Sequence, residues 1–280
     1  MHIDPKKEVV KTGRGRFALA LLILMFVAAL FAPFLTAYDP NGQSPYALRV
    51  PSPSHLLGTN HVGQDIWSQL VYGARTSLVV GLSVAFLSTL LGTIVGVSAA
   101  LTGGMYDRIV MRIVDAFIVI PVVIVLVLVA AYLRPSLWIL VVLLSLLGWP
   151  GGARIVRSQA LSLKTRMHVS AARCFGAGRL YLIYRHLVPD LTPILLVDFV
   201  YSMRRAIFME AGLAFLGIAD PNTVSWGTMM HEALAFSYLN VWVWWLLPAG
   251  MALSLTIISV AFIAQGLEPV MNPRLRGEAS

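Results

Sequence analysis

The chain has 280 residues, of which 58% are hydrophobic and only 12% are charged. A soluble domain carries about 25% charged residues, so this composition excludes an ordinary soluble protein. The formal net charge is +8, but the basic residues are not interleaved with exposed aromatic residues, as they are in proteins that bind nucleic acid. We therefore expect a membrane protein that contacts lipid and has no nucleic-acid partner.

Six apolar segments follow one another along the chain. Runs of about 18 or more apolar residues are typical of transmembrane helices, so the sequence predicts an all-α polytopic membrane protein with six of them. The fourth segment is short, and it either begins near the membrane surface after residues 134–135 or continues through Pro150 and the glycines that follow. The six segments are residues 17–37, 77–101, 109–133, 137–149, 191–217 and 241–264.

The first apolar segment follows a basic stretch, which is also typical of a cleavable signal peptide. This segment has about 20 residues, whereas the apolar region of a signal peptide has about 7–15. We therefore predict an uncleaved membrane anchor.

The basic residues indicate the orientation, because Lys and Arg accumulate in loops that stay in the cytoplasm. Most of them lie in the two tails and in the loop between the fourth and fifth segments, so both termini are predicted to be cytoplasmic. Residues 1–76 then form a cytoplasmic tail, the first helix and an extracytoplasmic segment. Residues 77–266 form the core with a cytoplasmic loop at 154–190, and residues 267–280 form a second cytoplasmic tail. The basic residues concerned are Lys6, Lys7, Lys11, Arg14, Arg16, Arg154, Arg157, Lys164, Arg166, Arg173, Arg179, Arg185, Arg274 and Arg276.

Three local patterns predict how the spans pack and where they meet the membrane surface. Small residues at every fourth position of the second segment predict close helix packing; they are Ser88, Gly92, Gly96 and Ala100. Pro121 lies in the middle of the third segment and predicts a kink there, because proline removes a backbone donor. Aromatic residues at the start of the sixth segment predict an interfacial belt; they are Tyr238, Trp242, Trp244 and Trp245.

The loop at 154–190 is too polar to span the membrane and too long for a tight connection. Good helix formers precede Gly176, which can end one helix, and a second short helix then runs to Pro189, which is expected to break it. The small side chains of Ala171 and Ala172 would let a partner surface approach closely, with Arg173 available for charged contacts.

These loop residues carry a family resemblance. Ala171 and Ala172, Gly176 and the later His186–Pro189 stretch resemble the EAA loop of binding-protein-dependent ABC importer permeases. In that family the loop forms a coupling helix that binds the ATP-hydrolysing subunit, although Ser170 stands here in place of the motif's glutamate. The resemblance implies ATPase-coupling roles for Ser170, Ala171, Ala172, Arg173, Gly176 and Pro189.

The resemblance extends over nearly the whole chain. Residues 55–65 read HLLGTNHVGQD, which is similar to the HxLGTDxxGRD stretch of C-type permeases for dipeptides, oligopeptides and nickel, with Asn60 and Gln64 replacing Asp and Arg. Further blocks match in the same order and spacing at residues 72–78, 103–115 and 210–227.

The resemblance implies a multi-pass permease of a prokaryotic inner membrane, built from an N-terminal helix and a five-helix core. Its implied partners are a homologous B-type permease, two ABC ATPase subunits and an extracytoplasmic solute-binding protein. ATP and Mg²⁺ would bind to the ATPase subunits, and no cofactor is expected on this chain, which has no GxxxxGK[ST] phosphate-binding loop. The cargo remains open between dipeptides, oligopeptides, nickel and metal chelates.

The fifth segment contains four charged residues, and each costs about 2.5–3.5 kcal/mol at bilayer depth unless it faces a cavity or a partner. One interpretation is that the two arginines line the translocation pathway and attract a carboxylate of the cargo. The other is that they pair structurally with acidic residues of this chain or of the partner permease. The candidate pathway residues are Asp198, Arg204, Arg205 and Glu210. Near the start of the third segment, Arg112 and Asp115 lie three residues apart, which predicts a local ion pair.

Two other classes of function have less support in the sequence. A membrane-embedded enzyme is disfavoured because His231 and Glu232 begin an HExxH pattern in which Ala235 occupies the place of the second histidine. An ATPase-independent secondary transporter or channel would be favoured by inverted repeats, and none is evident. The spacing of His55, His61 and His231 is not that of metal ligands, so no metal site is predicted.

Overall fold

The computed structural model describes residue 10 and residues 12–133, 136–220 and 222–271. This part of the chain is helical, and its only β-bridge joins Thr59 to Asp65. The helices are α1 Gly13–Leu30, α2 Ala32–Leu35, α3 Ile66–Thr102, α4 Gly104–Val119, α5 Val122–Leu133, α6 Leu137–Leu163, α7 Met167–Cys174, α8 Arg179–Leu182, α9 Val188–Phe215, α10 Trp226–Ala235 and α11 Leu246–Met271, with a π-helical turn at Ile183–Leu187 and a 3₁₀ turn at Asn240–Val243. The basic residues predicted at 6, 7, 11, 274 and 276 lie outside the described residues.

Five helices of the described part are long and apolar enough to cross a membrane. A sixth span is present if α4 and α5 are taken together, because these two helices are separated by a bend of 74°. The bend lies at Ile120 and Pro121, as the proline predicted. The expectation of an all-helical membrane protein is therefore confirmed, with the third predicted span broken into two pieces.

Helix α6 bears on the two alternatives for the fourth span. It begins at Leu137, directly after residues 134–136, and it also runs through Pro150 and the following glycines to Leu163, so the span includes them. A proline is tolerated inside a membrane helix because neighbouring helices and local adjustments satisfy the freed backbone groups. The first ten residues of the predicted cytoplasmic loop consequently belong to this helix.

The prediction that Pro189 breaks a helix is wrong. The chain is helical from Arg179 to Phe215, and Pro189 occupies the first turn of α9, where a backbone N–H is not required. The π-helical turn Ile183–Leu187 immediately precedes it. A wider turn at this point allows the helix to pass the proline without a break.

Glycines bring α3 into close contact with its neighbours. A Cβ atom on Gly96 would lie 2.6 Å from the carbonyl oxygen of Ala153, and one on Gly92 would lie 3.1 Å from the Ala153 nitrogen. On another face of α3, a Cβ on Gly81 would lie 2.6 Å from the Ile207 side chain of α9. The predicted stripe of small residues therefore does pack α3 against α6.

The segment before α3 is ordered by a polar network. Asp65 caps α3 by accepting hydrogen bonds from the backbone N–H and the hydroxyl of Ser68, at 2.8 and 2.9 Å, and its other oxygen contacts His55 Nδ1 at 2.9 Å. Gly58 has a φ of +75°, and a Cβ there would lie 2.1 Å from the Arg49 carbonyl oxygen. Glycine is required at this position for both reasons.

The two departures from the C-type pattern in this segment contact each other. The amide of Asn60 donates to Gln64 Oε1 at 2.7 Å, and Gln69 donates to the same oxygen at 2.8 Å. An amide pair thus stands where the resemblance expects an aspartate and an arginine.

The predicted aromatic belt is only partly present. Tyr238 and Trp242 are exposed, whereas Trp245 is fully buried and belongs to the core. Its ring lies 5.8 Å from that of His61 and 6.1 Å from that of Phe236. Tertiary packing, rather than the membrane surface, accounts for this tryptophan.

Candidate functional site

Four of the predicted coupling residues, Ser170, Ala171, Ala172 and Arg173, lie in the short helix α7, whereas Gly176 follows it and Pro189 lies in α9. In α7 only Val169 is fully buried, while Ser170, Ala171 and Arg173 are exposed and Ala172 is half-buried. The helix therefore presents the alanine pair on a surface, as the sequence predicted.

Gly176 ends α7 with a Schellman motif. The N–H of Ala177 donates to the carbonyl of Ala172, and the N–H of Gly176 donates to that of Arg173, both at 3.0 Å. Gly176 has a φ of +83°, and no atom lies within 4 Å of a Cβ placed on it. The glycine is therefore needed for its backbone conformation and not for space.

Apolar side chains around α7 are exposed to an unusual degree. Phe175 is 92% exposed and Met167 is 87% exposed, and Tyr184 and Leu180 follow at 74% and 70%. Large exposed apolar side chains that lie this near one another in the sequence favour an interaction site.

Polar contacts fasten this loop to three spans. His168 Nε2 lies 3.1 Å from Asp190 Oδ2 at the start of α9, and Lys164 Nζ donates to the Ala100 carbonyl near the end of α3 at 2.9 Å. Buried leucines on both sides of α8 also pack against α3 and α6. α7 itself is therefore joined to α9 through His168, and the residues that flank it contact α3 and α6.

Two ion pairs join α6 to α4 beside the loop. Arg157 binds the carboxylate of Asp107 through both Nε and Nη2, and Arg154 binds Asp115. The partner of Asp115 is therefore not Arg112, as the local spacing predicted, but a residue on the neighbouring helix.

A cavity of about 580 Å³ lies between α6, α9 and α11. Gly148, Gly151 and Gly152 form one wall, which is largely bare backbone. The opposite wall carries three of the four predicted pathway residues. They are Asp198, Arg204 and Arg205.

The three charged residues of the cavity are not paired with one another. Asp198 Oδ2 accepts a hydrogen bond from Thr89 Oγ1 at 3.0 Å, and the guanidinium of Arg204 lies 5.3 Å from the centre of the Tyr201 ring. Within the described part of the chain, no carboxylate lies within 4.0 Å of the guanidinium nitrogens of Arg204 or Arg205.

Glu210 does not line this cavity. It is 2% exposed, and its carboxylate accepts a hydrogen bond from Ser77 on α3 at 3.1 Å. The structure therefore separates it from the other three predicted pathway residues.

The histidines considered as metal ligands have different neighbours. His55 contacts Asp65, the ring of His61 lies 5.0 Å from that of Phe236, and His231 Nδ1 lies 2.9 Å from the Phe215 carbonyl oxygen. Burial raises the pKa of Glu232, and the nearby charges of His61 and His231 partly offset this.

Sequence reasoning missed the groups that position Asp198. Thr89 comes from α3, 109 residues away, and a Cβ on Gly152 would lie only 2.8 Å from Asp198 Oδ2. The one feature of the sequence that could have indicated this contact is the pair Gly151 and Gly152 after Pro150 in an apolar helix.

Comparison with known families and proteins gives consistent results. Residues 88–277 match the family described as binding-protein-dependent transport system inner membrane component. Residues 14–53 match the N-terminal TM domain of oligopeptide transport permease C.

Individual proteins resemble the chain over most of its length. A protein named as a peptide transport system permease in Brucella suis is 37% identical, covering 98% of this chain and 94% of its own length. The dipeptide transport system permease protein of Bacillus subtilis is 33% identical, with coverage of 98% and 86%. A chain of the inward-facing MetNI methionine ABC transporter superposes with a TM-score of 0.58 at 22% identity, covering 74% of this chain and 96% of that chain.

Proposed function

Since the chain belongs to the family of binding-protein-dependent transport system inner membrane components, we propose that it lines the path by which a bacterial ABC importer carries peptides inward. The chain is a multi-pass permease subunit of the inner membrane. Such a permease is a non-catalytic subunit, and it operates with ATPase and solute-binding partners.

The relatives favour a peptide as the cargo. The proteins of Brucella suis and Bacillus subtilis are named for peptide and dipeptide transport, and the N-terminal region matches an oligopeptide permease domain. Nickel and metal chelates, which the resemblance left open, have no comparable support.

The exposed helix α7 is the observation that carries the coupling role. Its Ala171 is exposed, and so is the ring of Phe175 at its C-terminal end. The residues on either side of α7 contact three spans. We place this end of the molecule in the cytoplasm, where two ATPase subunits would bind α7 and its counterpart on a B-type permease. The solute-binding protein would then dock on the opposite side.

The cavity is our candidate for this subunit's part of the pathway. Its two arginines form no ion pair within 4.0 Å in the described chain, which disfavours structural pairing within this subunit and leaves the pathway interpretation and pairing with the partner permease. Movement of α7 would be transmitted through α9, which carries these residues, in keeping with alternating access.

Crosslinking tests this proposal. In a Cys174→Ser background, Ala171→Cys in intact membranes should be captured by an ATPase subunit with a bifunctional maleimide. Tyr238→Cys, exposed near α10 on the side we assign to the exterior, should not. The proposal fails if Ala171→Cys never captures an ATPase.

Purification separates the rival classes of function. The importer should co-purify with an ATPase whose hydrolysis rises when peptide-loaded binding protein is added. A membrane enzyme, a channel or a secondary transporter would show neither behaviour.

A further inference from the structure

We propose that the cavity between α6, α9 and α11 holds a short peptide by both ends, with Arg205 binding the terminal carboxylate and Asp198 binding the terminal ammonium. This inference rests on the proposed function, because it assumes that the cargo is a peptide. The permease itself would then select its cargo by peptide length and by the presence of free termini.

The first argument is that opposite charges share the cavity without forming a direct ion pair, although Arg205 is close enough to Asp198 to interact with it electrostatically. Asp198 and Arg205 both line it, yet no ion pair within 4.0 Å joins them. A charge at this depth is costly unless it has a partner. A zwitterionic ligand supplies a partner to each charge at once.

The second argument concerns the hydrogen-bonding groups of the cavity that are still available to a ligand. Asp198 uses Oδ2 to accept from Thr89, and Oδ1 accepts no hydrogen bond within the described part of the chain. Arg204 already lies over the Tyr201 ring, whereas in the described part of the chain Arg205 has no ion pair within 4.0 Å and interacts with Asp198 only at longer range. Arg205 is therefore the better carboxylate donor, since a guanidinium can bind a carboxylate through two parallel hydrogen bonds.

The third argument is the spacing. Asp198 and Arg205 are seven residues apart on one helix, so their Cα atoms lie about 10.5 Å apart along its axis. An extended chain spans at most about 3.3–3.6 Å per residue, so three residues cover that distance. Because a long side chain leans towards the N-terminus of its helix, the gap between the charged groups is shorter. Peptides of two or three residues fit.

The fourth argument is that the cavity makes few demands on peptide side chains. The wall facing α9 carries Gly148, Gly151 and Gly152 beside Ile155, so it consists mostly of backbone and has a single side chain. The volume of about 580 Å³ lies within the range of about 300–1,000 Å³ that ligand sites occupy. A site that binds both termini of a peptide and makes few contacts with its side chains can accept peptides of varied sequence.

The test uses the complete importer in proteoliposomes with saturating binding protein and a series of alanine peptides from two to five residues. The variants are Asp198→Asn and Arg205→Gln. Arg112→Gln is the control, because it removes an exposed arginine from α4 without touching the cavity. Each rate is divided by the wild-type rate for the same peptide, so the preference of the binding protein cancels.

We expect Arg205→Gln to slow transport of every length by about tenfold, the effect of losing one charge-assisted hydrogen bond. Asp198→Asn should slow dialanine and trialanine by a similar factor and pentaalanine by less than about twofold, because a longer extended peptide cannot reach both charges. Arg112→Gln should transport all lengths at the wild-type rate.

The inference is overturned if both cavity variants match the wild type, or if Asp198→Asn slows all lengths equally. Basal ATP hydrolysis and co-purified ATPase are measured for each variant, so that failed assembly is recognised; a variant that does not assemble is replaced by Asp198→Ser or Arg205→Lys. If the wild type transports none of these peptides, the proposed function fails instead.

Discussion

The contact between α3 and α6 can be tested at Gly96. A Cβ there would lie 2.6 Å from the Ala153 carbonyl oxygen and 3.0 Å from the Arg157 nitrogen. Both are backbone atoms, so no rotamer change relieves the clash. An ordinary contact begins at 3.4 Å, so the two helices would have to separate by about 0.8 Å in Gly96→Ala.

Overpacking of this kind costs about 1–3 kcal/mol. For chains of 150–250 residues, each kcal/mol lowers Tm by about 2–4 °C, so we expect Gly96→Ala to lower the apparent Tm of the purified permease by roughly 2–12 °C. Unfolding of such proteins is often irreversible, and all variants must be heated at one scan rate.

Gly212→Ala is the matched control, because Gly212 is also inside a membrane helix and no atom lies within 4 Å of a Cβ placed there. Its Tm should equal or slightly exceed the wild-type value, since alanine favours a helix over glycine by about 0.5–1 kcal/mol. A Gly96→Ala protein that melts within about 1 °C of the wild type would refute the close approach of α3 and α6.

Three further predictions concern the loop that contains α7, helix α4 and the segment before α3. Gly176→Ala should cost about 1–2 kcal/mol at its left-handed backbone position and lower peptide-stimulated ATP hydrolysis, whereas Gly178→Ala, which has φ −69°, should not. Asp107→Asn should lower the apparent Tm by the equivalent of about 1.5–3 kcal/mol, because the carboxylate accepts two hydrogen bonds from the Arg157 guanidinium on α6. An unchanged Tm would mean that the ion pair between Asp107 and Arg157 does not stabilise the protein. Asn60→Asp and Gln64→Arg should each lower the free energy of unfolding, as measured by denaturation. The double variant should lose about 1 kcal/mol less than the sum of the two single losses. Strictly additive losses would contradict the contact between the two side chains.

Much of the fold could be predicted because its determinants are local in the sequence. The stripe that ends in Gly92 and Gly96 repeats every four residues, so it lies on one helix face whatever the neighbour is. Pro121 predicts a bend because its ring forbids one hydrogen bond wherever the span is placed. Gly176 likewise predicts the end of α7.

What could not be predicted depends on residues far apart in the chain. Asp115 had a cationic neighbour three residues away, but its partner is Arg154, 39 residues away on α6. Spacing along one helix gives no measure of competition from a second helix. Pro189 was misjudged for a related reason, since a π-helical turn can supply the room that an ideal α-helix lacks. Trp245 was assigned to the membrane surface on composition, and its burial depends on the segment before α3.

The helical stretch from Arg179 to Phe215, which includes the π-helical turn at Ile183–Leu187, has a mechanical consequence. If it moves as one body, it forms a lever about 39 Å long between Arg179 and Arg205, at about 1.5 Å per residue. A tilt of about 5° at one end displaces the far end by roughly 3 Å over that length, which exceeds the reach of a hydrogen bond held at about 2.9 Å. If α7 binds an ATPase subunit as we propose, a small rotation delivered there would be sufficient to loosen a peptide carboxylate held by Arg205.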